Sequence, residues 1–179
     1  RFSEMGLPIF FLERIKPMFL SAFASADMNP SSIKEGSIKS YEMEFYEISQ
    51  NRGMTTDGLE TIDFQVSVFD SIPYPEQAKM LVESLKASDA NNSEMEQMVK
   101  LYKTQNIEAM VNSVAASDSD LAPYEDLLLN GRNKRWIPQI ITLAKQKPTF
   151  FAVGAGHLGG EKGVIKLLRK EGYKVRPII

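Results

Sequence analysis

The closing stretch of the chain constrains its fold more than any other. Residues 149–153 form an uninterrupted β-branched and aromatic run, the pattern of a strand buried on both faces. Residues 154–160 are a glycine-rich turn, Val164, Leu167 and Leu168 mark one face of a helix that Gly172 ends, and residues 173–178 are again extended in pattern. Strand, glycine turn, helix and strand make a βαβ unit. Its two strands, 149–153 and about 174–177, are predicted to run parallel with a right-handed crossover through a helix from about Gly160 to Glu171. The sequence therefore predicts an α/β class: a helix-rich domain with a small mixed sheet and this strand-glycine turn-helix-strand unit at its C-terminal end.

Upstream, the apolar spacing is helical. A helix is predicted from Pro17 to Ala26, within an apolar segment that carries Glu13, Arg14 and Lys16 and so reads as an amphipathic core helix, not a leader, with a turn at Asn29 and Pro30. Ser40 caps a short helix through Tyr41, Phe45 and Ile48 that ends near Asn51 and Gly53. Residues 54–59 suit a short strand. Ile62, Val66 and Phe69 repeat at helical spacing, Pro75 opens a helix carrying Ala78, Leu81, Val82 and Leu85, and further helices are expected over 93–102 and 118–129. Trp136, Ile140 and Leu143 share one face of a helix that Lys147 and Pro148 stop.

Composition excludes several chemistries. The 179 residues are 43% hydrophobic and 25% charged, a balance that fits a folded core and not a disordered chain. Cysteine is absent, which removes disulfides, thiolate metal sites and cysteine nucleophiles. No stretch reaches the ~18 apolar residues of a membrane span. The net charge of -2 gives no reason to expect nucleic acid, yet it is unevenly spread. Residues 1–130 hold 10 basic and 21 acidic side chains, and residues 131–179 hold 11 and 2. Its basic residues stand singly or in pairs among apolar ones, as a solvated face does.

Three side chains are candidates for chemistry. His157, the one histidine of the chain, sits in the glycine turn, where α/β proteins place ligands, and an imidazole there suits a metal or a proton transfer. With no second histidine and no cysteine, any metal needs carboxylates, waters or ligands from elsewhere beside it. Glu60 follows Gly58 and Leu59 at the end of the 54–59 segment, just before a helix. Arg132, with Asn133 beside it, precedes Trp136 at a helix start, where a guanidinium can hold a carboxylate in a bidentate pair. Gly154, Gly156 and Gly159 also satisfy G-x-G-x-x-G, but the acidic residue that would hold a ribose is missing after the second extended segment, where only Lys174 and Arg176 stand.

The run FFAVGAGHLGGEKGVIKLLRKEGYKV over 150–175, with GLETIDFQ over 58–65, IPYPEQAKML over 72–81 and RNKRW over 132–136, resembles the TraB/PrgY/GumN family, which includes the Tiki-type metalloproteases. The resemblance covers most of residues 5–179. It implies a mixed α/β domain whose metal site is built from two G-x-x-H motifs and glutamates. Gly154-Ala155-Gly156-His157 matches the second such motif, and Glu60 matches the glutamate of the middle motif. The first G-x-x-H, which opens the family's domain, has no counterpart, so the chain corresponds to one domain without its N-terminal portion, about the C-terminal two-thirds, with half of a metal site. The resemblance thus implies a metal-dependent, peptidase-like hydrolase with His157 and Glu60 as metal residues and Glu60 and Arg132 as catalytic ones. The cofactor is a divalent cation, zinc, manganese or cobalt, bound only when the missing motif is supplied, and an unidentified protein or peptide is the substrate. A cell-envelope or secreted location follows from the same resemblance. The alternative is a non-catalytic binding or envelope-associated protein that uses the glycine turn and basic tail for an anion or partner. An open edge beside the predicted strand 149–153 would favour self-association or a second polypeptide.

Overall fold

Ser40 and Thr61 each place a side-chain oxygen where the first turn of a helix has spare backbone donors. Ser40 Oγ accepts from the Met43 amide at 3.4 Å and Thr61 Oγ1 from the Phe64 amide at 3.1 Å. Both helices therefore begin where the sequence predicts. The structure, a computed structural model, describes residues 10, 13–20, 39–86, 91–116 and 122–178. Of the helix predicted over 17–26, residues 17–20 are helical; the rest of it and the Asn29–Pro30 turn lie outside the described residues.

The helices are α1 Tyr41–Asn51, α2 Ile62–Asp70, α3 Tyr74–Lys86, α4 Asn91–Lys103, α5 Ile107–Ala116, α6 Gly131–Gln146 and α7 Val164–Lys170. Short 3-10 turns cover Ala122–Tyr124 and Ala155–His157, and a π-helical turn, Asp126–Asn130, runs directly into α6. α5 fell outside the segments the sequence singled out, and the helix expected over 118–129 is a 3-10 turn and a π turn where it is described. The chain divides into two compact units, Arg1–Asn91 and Asn92–Ile179.

In the first unit Leu20, Val68 and Ile72 are buried, the Phe19 and Phe69 rings meet edge to face at 5.5 Å, and Lys16 pairs with Asp70. Gln77 is fully buried at its centre. In the second unit α6 buries Asn133, Trp136, Ile137 and Ile140, the i, i+3, i+4, i+7 stripe of an amphipathic helix.

The predicted sheet is absent. Among the described residues there is no β-strand, so the fold is helical, not α/β, and the segments 54–59, 149–153 and 174–177 are irregular. A strand exists only when a second segment completes its hydrogen-bond ladder, and no described segment does so for any of the three. Residues 149–153 are not buried on both faces either: Phe150 and Ala152 are exposed while Phe151 and Val153 are half-buried. β-branched and aromatic residues set the extended backbone there, and alternation sets one face inward, without a partner chain alongside. With the strand goes its open edge, and the self-association expected from that edge loses its ground. The helix of the predicted crossover is real but shorter, Val164–Lys170, because the residues before it stay in turns.

Candidate functional site

The π turn sets up the second unit's site. Gly131 donates its amide to the Asp126 carbonyl, and a Cβ at Gly131 would lie 2.7 Å from that same oxygen, so glycine is required where the wide turn enters α6. The turn is held by the buried Asn130, whose amide nitrogen donates to Asp126 at 2.8 Å and Glu125 at 3.2 Å, and by an ion pair from Lys162 to Asp126 at 2.9 Å. The hydrogen bonds from Lys162 and Asn130 hold the Asp126 carboxyl below its ordinary value, and Asp126 in return holds the Lys162 ammonium above its own.

α6 then presents three consecutive contacts. The Arg132 guanidinium lies 5.2 Å from the Trp136 ring centre and donates to the Leu128 carbonyl at 3.2 Å. Asn133 is 1% exposed. Its amide nitrogen donates to the Lys162 carbonyl at 3.0 Å, and its oxygen lies 2.7 Å from His157 Nδ1. The indole of Trp136 meets the imidazole of His157 at 4.4 Å between centroids, tilted by 45°. Trp136 Nε1 is buried and has no hydrogen-bond partner among the described residues.

His157 is thus buried, as the last residue of the 3-10 turn, with its backbone amide on the Gly154 carbonyl at 2.9 Å. Of the sequence-predicted site residues, the structure brings Arg132 and His157 together around Trp136. Glu60 belongs to the first unit, on the bend just before Thr61 and α2. Asn133, noted in sequence only as preceding Trp136 beside Arg132, is the residue to which sequence reasoning gave no role. The available signal was its position three residues before Trp136, on the buried stripe of α6.

The glycines of the turn serve packing. A Cβ at Gly159 would come within 2.6 Å of Ile107 and 2.9 Å of Val111 on α5, and Gly160 takes a positive φ of 78°. The amide of Gly160 points at the Glu108 carboxylate, 3.3 and 3.4 Å from its two oxygens. A donor facing the chain's own carboxylate is not a phosphate cradle, which agrees with the weakness of the nucleotide pattern in sequence. The basic residues after the turn are likewise engaged locally, Lys162 with Asp126 and Lys166 and Lys170 with Glu161. Among the described residues no three His, Asp or Glu side chains are grouped as a metal site. No helix among them is long and apolar enough to cross a membrane.

The sequence model of the TraB/PrgY/gumN family matches residues 1–177. Among curated proteins the chain is similar to a Metalloprotease TIKI homolog of Nematostella vectensis, 40% identical over 55 residues, which are 29% of this chain and 12% of that protein. Metalloprotease TIKI2 of Xenopus tropicalis is 40% identical over 65 residues, 35% of this chain and 12% of that protein. Metalloprotease TIKI1 of Danio rerio is 22% identical over 190 aligned positions, 91% of this chain and 38% of that protein. The chain therefore spans well under half the length of these relatives. No solved structure matches it.

Proposed function

We propose that this chain, which belongs to the TraB/PrgY/gumN family, carries the His157 part of a peptidase-like hydrolase site. One observation supports this reading most: the imidazole is buried yet gripped by two side chains of one helix, Asn133 at Nδ1 and Trp136 on the ring. A ring bonded at Nδ1 addresses its surroundings through Nε2, the geometry of a base or a ligand. Arg132, 5.2 Å from the centre of the same indole, is a cation of the kind that pairs with a carboxylate of a peptide. Glu60 supplies the carboxylate that hydrolysis of a peptide bond asks for as a proton acceptor.

The word metalloprotease in the relatives' names brings a divalent cation, zinc, manganese or cobalt, into this reading, with His157 as the ligand proposed from the second unit; the metal role of Glu60, a residue of the first unit, rests on the family resemblance alone. A catalytic zinc usually takes three protein ligands, and the described residues form no such group. The donors described here do not complete a site by themselves, so no step is routed through a metal.

The test uses the protein that contains this chain. Purified wild type is expected to cleave a peptide library, and His157→Ala to lower kcat/KM by at least about 100-fold, with the circular dichroism spectrum retained at the assay temperature although the loss of the buried imidazole lowers the thermal transition. Glu60→Gln is expected to lower it comparably. Undiminished cleavage by folded His157→Ala overturns the reading.

A further inference from the structure

We propose that Asn133 is a positioning residue that fixes His157 in the Nδ1–H tautomer and so decides which ring nitrogen works. The inference rests on the role given above to His157 only for what Nε2 then does; the tautomer itself follows from geometry.

The direction of each hydrogen bond can be worked out from a fixed end. The Lys162 carbonyl only accepts, so the Asn133 group 3.0 Å from it is the NH2. The other end of that amide, facing His157 Nδ1 at 2.7 Å, is then the oxygen, which also only accepts. The proton between them must sit on Nδ1. In a neutral ring with one proton, Nε2 carries the lone pair.

The fixed end is itself well placed. A Cβ at Gly163 would fall on the Gly159 carbonyl oxygen and lie 2.5 Å from the Leu158 oxygen, so the loop closes there only with glycine. The same loop is tied by Gly163 to the Gly160 carbonyl at 3.1 Å and by Ile165 to the Leu158 carbonyl at 3.3 Å. It holds the Lys162 carbonyl toward α6, and Asn133 passes that orientation to a ring 24 residues away in sequence. Trp136 restricts the ring's other degree of freedom by packing on it at 4.4 Å between centroids, tilted by 45°. An imidazole kept in one tautomer by a partner that is itself oriented is the usual way a protein sets a histidine for ligation or proton transfer.

Because His157 is the chain's one histidine, 15N-histidine labelling gives a single imidazole and needs no assignment. Two-bond 15N–1H correlation spectra of the full chain, at about pH 8.5 where an ordinary imidazole is neutral, report which nitrogen is protonated. The wild type is expected to show the Nδ1–H tautomer. Asn133→Ala should shift the tautomer ratio toward Nε2–H by roughly fivefold or more, the weight of one ordinary hydrogen bond. Asn133→Asp, which still offers Nδ1–H an acceptor, should keep the wild-type tautomer although it loses the bond to Lys162. An Nε2–H tautomer in the wild type overturns the proposal even if His157→Ala abolishes hydrolysis. The expected pattern supports it even if no hydrolytic activity is found. Should Asn133→Ala fail to fold, the wild-type and Asn133→Asp spectra still decide.

Discussion

Each compact unit buries one polar constellation, and the two use their hydrogen bonds differently. In the first, Gln77 donates to the Phe69 and Ile72 carbonyls at 2.9 and 2.8 Å and accepts from the Met18 amide at 3.2 Å. All three partners are main chain, so the side chain ties the segment at Met18 to the turn between α2 and α3. In the second, the His157 imidazole is held by another side chain, Asn133, which in turn reaches the main chain at the Lys162 carbonyl. A buried polar group whose bonds all end on backbone holds the fold together. One whose partner is a side chain is oriented, and it is the second kind that can be presented to a substrate.

The comparison breaks most sharply at Trp136. Replacing it by alanine removes the wall against His157 and a side chain only 4% exposed, and should cost about 3–5 kcal/mol in urea denaturation. A loss below about 1 kcal/mol would mean that packing does not seat the imidazole. Gln77→Leu keeps the volume but removes the three hydrogen bonds that Gln77 makes with the Phe69 and Ile72 carbonyls and the Met18 amide. About 3 kcal/mol of stability should go, with no loss of shape to blame. If stability hardly moves, the first constellation is not the tie described here.

A milder change separates packing from polarity. The indole N–H of Trp136 has no partner among the described residues, so Trp136→Phe forfeits volume but none of the described hydrogen bonds, and should cost about 1 kcal/mol, well short of the alanine variant. A cost equal to alanine's would reveal that the N–H matters. The smallest effect belongs to the exposed pair beside the site. Asp126 titrates below its ordinary 3.8 in the folded chain, so its contribution is present above that value and fades as pH falls through the lowered pKa. Lys162 titrates above 10.5, so its share is present below that value and is lost as pH rises past it. Lys162→Met should flatten the acid limb of a stability-against-pH curve below 3.8, and added salt should do the same. An unchanged limb would show that the pair does not steady the π turn.

Much of the helical framework was legible because its signals are local. Ser40 and Thr61 announce helix starts within three residues, and the Trp136–Ile140 stripe repeats at the period of the helix it forms. The family motifs, too, are read from neighbours in sequence, and GAGH pointed at His157 before any contact was known. Asn133 was harder. Its neighbours, Arg132 and Lys134, make it look like part of a charged helix start, and its burial comes from a loop 29 residues on.

The sequence by itself determined where the helices capped by Ser40 and Thr61 begin, the buried stripe of α6, and the family. Those follow from period, capping and residue type, which a chain carries wherever it is folded. The tertiary structure decided two things that the sequence could not. Residues 149–153 have the side chains of a strand, but a strand is a property of two segments, and no described segment supplies the second. The proton position on His157 likewise depends on Asn133, on the Lys162 carbonyl and on the glycine that lets the loop close. Hydrogen-bond partners distant in sequence become neighbours only in three dimensions, and that is where the extended segments lost their sheet and the imidazole acquired its orientation.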